Sequence, residues 1–115
     1  MSTPAPAPRQ MNLAVFLTAD ANYHHLGWRR PDAWVDGGSN FARWIEFAHI
    51  AEAAKLDMLF IADQIAVVGG DNLDAITNSS KIARLEPMTL LSALASHTHN
   101  IGQAATCATS YSEPY

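Results

Sequence analysis

Two kinds of side chain in this sequence stand where they could act on a bound molecule: one carboxylate and a short group of hydroxyls. Asp63 closes the apolar run 57–62 (DMLFIA). A carboxylate at the end of a buried strand must be hydrogen-bonded, kept charged for a purpose, or both. It serves equally well as a cap for the loop that follows. Thr106, Thr109 and Ser110 fall at the corresponding end of a third such run, 101–109. Hydroxyls there can donate to and accept from the polar edge of a ligand, or satisfy nearby backbone groups.

The other reactive residue types carry less. His97 and His99 fall at the end of a helical pattern, where imidazole suits the negative end of the helix. His24 and His25, with Asp20 nearby, lie in a long loop on the same side as Asp63. Adjacent residues seldom point at one ion, so no metal site is expected. His49 falls beside a buried stripe and is expected to be structural. Cys107 is the single cysteine, which excludes an internal disulfide and a cysteine zinc site. Its small neighbours predict a buried strand residue rather than a nucleophile. Tyr23, Trp28 and Trp34 crowd the first long loop, where they either wall a planar ligand or anchor the loop. Gly69-Gly70 is too short a signal for a phosphate cradle.

The elements that must position these groups follow from the pattern. Runs 12–17 and 57–62 are continuously apolar, which suits strands buried on both faces of a parallel sheet. Run 101–109 is a third strand, richer in Ala and Gly. Between the first two, apolar residues at 41, 44, 45, 48 and 51 recur at helical spacing. Ser39 or Asn40 can cap that helix, and Arg43–Glu46 and Glu52–Lys55 form exposed pairs on it. Glu86-Pro87 opens a second helix with proline in its first turn. Met88, Leu91, Leu94 and Ala95 are expected on its inner face, with Asn100 at its end. The order is β-α-β-α-β, and the class is α/β.

Both strand-to-helix connections, 18–40 and 63–85, exceed the roughly 12–15 residues usual for structureless loops. The helix-to-strand links are expected to be only a residue or two. Long loops after the strands and short ones before them fit a (β/α) barrel, although an open doubly wound sheet also binds ligands at that edge. No G-x-G-x-x-G follows the first strand and no G-x-x-x-x-G-K-[ST] occurs, which disfavours a dinucleotide fold and a P-loop.

Composition bounds the rest. The chain has 115 residues, 49% apolar and 16% charged, a size and core fraction that fit one domain. Seven scattered Lys and Arg against eleven acids give a net charge of −4 and no basic stripe, so nucleic-acid binding is not expected. No run approaches the roughly 18 apolar residues of a spanning helix. Residues 1–10, with Pro4, Pro6 and Pro8, read as a disordered Pro/Ala tail ahead of a domain at 11–115. There is no signal or transit pattern, so a cytoplasmic location is expected, and the sequon at Asn78 is discounted accordingly.

From Met11 to Tyr115 the chain resembles the bacterial luciferase-like flavin monooxygenases, in the branch of the nitrilotriacetate, dibenzothiophene-sulfone and long-chain alkane monooxygenases. The resemblance rests on Trp28-Arg29-Arg30-Pro31, on Ala48-x-x-Ala51-Glu52 leading to Phe60-Ile61-Ala62-Asp63, on Glu86-Pro87, on 105–110 (ATCATS) and on Glu113-Pro114-Tyr115. Order and spacing carry it more than any one piece. It implies a TIM (β/α)8 barrel that uses reduced FMN and O2 to oxygenate a small organic substrate. A separate NAD(P)H-dependent flavin reductase would supply the FMN, and the full-length protein would be a homo-oligomer.

Carried over by position, Asp63 and Thr109, with Ser110 beside them, match flavin-contacting residues. The family's later His and Tyr contacts and its phosphate-binding loops have no counterpart here. The chain is therefore expected to be the N-terminal portion of the barrel, incomplete and inactive alone. A stand-alone flavodoxin-like βαβαβ binding or interaction module, or a deazaflavin-dependent oxidoreductase of the same superfamily, remains the alternative.

Overall fold

The three apolar runs form three parallel strands with β2 in the middle: β1 (Ala14–Leu17), β2 (Met58–Ile61) and β3 (Gly102–Ala105). The structure is a computed structural model and describes residues 10–18, 27–67, 70–79 and 82–110. The proline-rich tail up to Arg9 lies outside them, as do Asp20, Tyr23, His24, His25, Gly69 and 111–115.

Helix α1 (Phe41–Ala53) joins β1 to β2. Asn40 caps it, accepting from the Ala42 amide at 3.1 Å while its own amide group donates to Asp36 at 2.6 Å. Trp44, Ala48 and Ala51 are buried on its inner face, and Phe41 and Ile45 pack beside them, as the spacing predicted. The helix closes in a two-bond turn. Leu56 N donates to Ala51 O at 3.1 Å and Lys55 N to Glu52 O at 3.0 Å, with Lys55 in the left-handed region at φ 60°.

A short helix α2 (Leu73–Thr77), capped by Asn72, interrupts the second long loop, where the sequence pattern predicts no element. Helix α3 (Pro87–Leu94) then leads toward β3. Its cap is the Glu86 carboxylate, which accepts from Met88 N at 2.8 Å and Thr89 N at 2.7 Å. These bonds, to Thr89 first and Met88 second, hold the Glu86 carboxyl below its ordinary range.

The inner face of α3 differs from the expected one. Pro87, Leu90, Leu91 and Leu94 are buried, while Met88 is half exposed and Ala95 is exposed. The helix also stops at Leu94 rather than near Asn100. Past Leu94 the bonding changes to three-residue turns, Ser96 N to Ala93 O at 3.2 Å and His97 N to Leu94 O at 2.9 Å, and Glu52 Oε1 then accepts from the amides of His99, Asn100 and Ile101. Glu52 therefore does not form the expected pair with Lys55. Arg43 and Glu46 do approach, at 3.5 Å. The links into β2 and β3 are 54–57 and 95–101, longer than expected because each holds a helix-ending turn.

Both long helices pack on one face of the sheet. The core joins Trp44, Ala48 and Ala51 to Leu59 and Ile61 and to Leu90, Leu91, Leu94 and Ile101. The register places Ala14, Phe16, Met58, Phe60 and Ala104 on the opposite face. There the Phe16 and Phe60 rings meet at 5.3 Å, and Phe16 stays 50% exposed. The strands thus bury one face rather than two among the described residues. A flavodoxin-like order would put β1 in the middle; here β2 is there, with the strands in chain order and the helices on one side.

Candidate functional site

The C-terminal ends of β2 and β3 are tied by a ladder that continues past the strands. Thr106 N donates to Ile61 O at 3.1 Å, an ordinary backbone rung. Asp63 N then donates to the Thr106 hydroxyl oxygen, and Ala108 N donates to Asp63 Oδ2 at 3.2 Å. The Ala108–Asp63 bond keeps the 45-residue offset of the backbone rungs. The Asp63 carboxylate thus stands where a backbone carbonyl would be. The carboxylate closes the strand end by bonding across to the segment after β3, rather than by capping the loop that follows Asp63. Its other oxygen, Oδ1, has no hydrogen-bond partner among the described residues.

Thr109 and Ser110 follow on an exposed turn, so the ladder brings the 106–110 segment and Asp63 to one edge of the sheet. Cys107 is exposed on the same segment, not buried in a strand. The reason is that β3 ends at Ala105, two residues before it.

Two loops flank this edge. The first is docked onto the second: Trp28 Nε1 donates to Asn78 O at 3.2 Å and the Arg29 guanidinium to Asn78 Oδ1 at 2.7 Å. Gly38 lies against the Ala83 carbonyl, where a Cβ would come within 1.9 Å of the oxygen. Trp34 stacks on Phe47 at 4.4 Å with the Arg43 guanidinium 4.6 Å from its ring. Trp28 and Trp34 thus anchor the loop.

A cleft of about 220 Å³ opens between 62–65 and 84–87, lined in part by Asp63, Arg84 and Glu86. That is below the roughly 300–1,000 Å³ of ordinary small-molecule sites. At this edge the described residues form a rim rather than a pocket of that size. The donor set of this rim, a carboxylate oxygen with spare acceptor capacity and two exposed hydroxyls, fits the polar edge of a flavin ring.

The histidines lie elsewhere. His49 is exposed, and its Nε2 lies 2.9 Å from His97 O, on the helix-ending side of the sheet. Among the described residues no three His, Cys, Asp or Glu are grouped to hold a metal. No helix there is long and apolar enough to cross a membrane.

Sequence reasoning missed Glu52 and Asp57. Asp57 closes the other end of β2, accepting from Leu13 N at 2.7 Å while Asp57 N donates to Leu13 O at 2.8 Å. The available signal was its position as the first residue of the same run that Asp63 follows.

No protein-family model matches the chain. Comparison with curated proteins finds several monooxygenases. N-acetyl-S-(2-succino)cysteine monooxygenase of Bacillus subtilis (strain 168) is 44% identical over 107 residues, which is 93% of this chain and 23% of that protein. Its relatives are luciferase-like monooxygenases. Component A of nitrilotriacetate monooxygenase from Aminobacter aminovorans is 39% identical over 115 residues, 95% of this chain and 25% of that protein. Dibenzothiophene-sulfone monooxygenase of Rhodococcus erythropolis is 35% identical over 116 residues, 93% and 24% respectively. The chain spans about a quarter of the length of the luciferase-like monooxygenases it matches.

Proposed function

We propose that this chain is the N-terminal portion of a TIM-barrel, FMN-dependent monooxygenase acting on a small organic substrate. Its domain would run over 11–115, and Asp63, Thr109 and Ser110 would contact the flavin. The observation that carries the reading is the Asp63 carboxylate, held at the C-terminal edge of β2 by the Ala108 amide in a chain related to monooxygenases. Sequential strand order with helices on one face supports the barrel.

When bound, reduced FMN would supply the electrons that activate O2 for insertion into the substrate. The work of this chain is to bind and orient. Asp63 Oδ1 is an acceptor for a ring N–H, and the hydroxyls of Thr109 and Ser110 can donate to a ring carbonyl or nitrogen. Phe16 and Phe60, on the sheet face without helices, would pack inside the closed barrel and keep water from its centre.

The remaining contacts to the flavin would come from other parts of the protein. A separate NAD(P)H-dependent flavin reductase is the proposed partner, in the cytoplasm, with the monooxygenase itself a homo-oligomer. The nitrilotriacetate relative is named as one component of its monooxygenase, which suits a system of more than one protein. Fluorescence titration of FMN against the intact protein tests the reading. Binding weakened by Asp63→Ala and by Thr109→Ala is expected; binding indifferent to both would overturn it.

A further inference from the structure

We propose that Thr106 is a positioning residue that fixes Asp63 at the rim, an inference that rests on the flavin reading of Asp63. Backbone pairing of β2 and β3 runs out at the Thr106 N to Ile61 O bond. From there two side chains act as backbone. The Thr106 hydroxyl oxygen accepts the Asp63 N–H, and the Asp63 carboxylate accepts the Ala108 N–H. The two bonds run in opposite directions between the same two segments. Asp63 is thereby held at its amide and at one carboxylate oxygen, leaving Oδ1 to face a ligand.

Without the Thr106 hydroxyl the Asp63 amide has no acceptor here, and the bond that orients the carboxylate is left alone to hold the segment. Thr106 is itself exposed, so this hydroxyl is not explained by burial. The residue type fits the task, since a β-branched hydroxyl has few χ1 rotamers and keeps its oxygen in place. Thr106→Val keeps the shape and deletes the acceptor; Thr106→Ser keeps the acceptor.

The test is amide hydrogen exchange combined with flavin titration of the intact protein. In Thr106→Val the Asp63 and Ala108 amides should exchange about three- to tenfold faster than in the parent, the ratio for loss of one net hydrogen bond. The Phe60 amide should be unchanged, and Thr106→Ser should restore parental rates. Acceleration of Phe60 to the same degree, or none at Asp63, would overturn the inference.

In the titration, Thr106→Val should weaken FMN binding by about three- to tenfold, but add nothing in an Asp63→Ala background. Equal losses in both backgrounds would show that Thr106 does not act through Asp63, and would also overturn it. If Asp63→Ala alone left flavin affinity unchanged, the flavin role of Asp63 would fall. The exchange rates would still decide whether Thr106 fixes that carboxylate.

Discussion

Asp57 and Asp63 bracket β2, and each carboxylate bonds a different neighbouring segment: Asp57 takes the Leu13 amide ahead of β1, and Asp63 takes the Ala108 amide beyond β3. The two are alike in local chemistry and opposite in location. Only Asp63 stands at the strand ends from which the long loops leave. Asp57→Ala should therefore lower stability by about 1 kcal/mol and leave FMN affinity unchanged. Asp63→Ala should weaken FMN binding. Chemical denaturation and fluorescence titration of the two variants side by side separate the roles.

Glu52 should make the fold acid-sensitive. Its carboxyl is held below the ordinary value of 4.5 by the amides of Asn100, His99 and Ile101, in that order. A carboxyl depressed in the folded state contributes stability that is present above the unfolded pKa and lost as pH falls through the lowered folded value. The loss should accordingly begin near pH 4.5 and grow below it. Thermal melts of the parent and Glu52→Gln across this range should differ most at neutral pH and converge in acid. At neutral pH, Glu52→Ala should cost more than Glu46→Ala, whose partner is an exposed arginine one turn away.

The interloop contact at Gly38 leaves no room for a side chain. A Cβ placed 1.9 Å from the Ala83 carbonyl oxygen must push two backbones apart. Gly38→Ala should destabilise by about 1–3 kcal/mol, the usual range for overpacking. Urea denaturation reads the loss, and faster amide exchange at 82–84 would locate it.

Lys55 offers the opposite change. It ends α1 at φ 60°, a conformation that glycine adopts without the side-chain penalty. Lys55→Gly should stabilise by about 0.5–1 kcal/mol after the extra chain entropy of glycine is subtracted. Urea denaturation measures it.

What was legible in the sequence was whatever depends on residues close together. The stripe at Trp44, Ala48 and Ala51 follows from helical spacing, and Glu86-Pro87 marks a helix start because proline suits the first turn. Asp63 stood out because it follows an apolar run. Features set by distant pairing did not show. Glu52 finds its partners 47–49 residues away, in the turn between α3 and β3. The fixing of Asp63 depends on hydrogen bonds to residues 43 and 45 positions away, which no local pattern encodes. Cys107 was misplaced for a related reason: a small-residue run does not mark where the ladder passes from backbone to side chains.

The three-stranded sheet has a bearing on handling the chain. β1 (AVFL) and β3 (GQAA) are its outer strands, and neither carries a charge or a proline. Nothing in their own residues blunts an edge against a passing strand. In the proposed barrel such edges would receive the strands that flank them. For the 115 residues expressed alone, self-association by edge-to-edge pairing should rise with concentration.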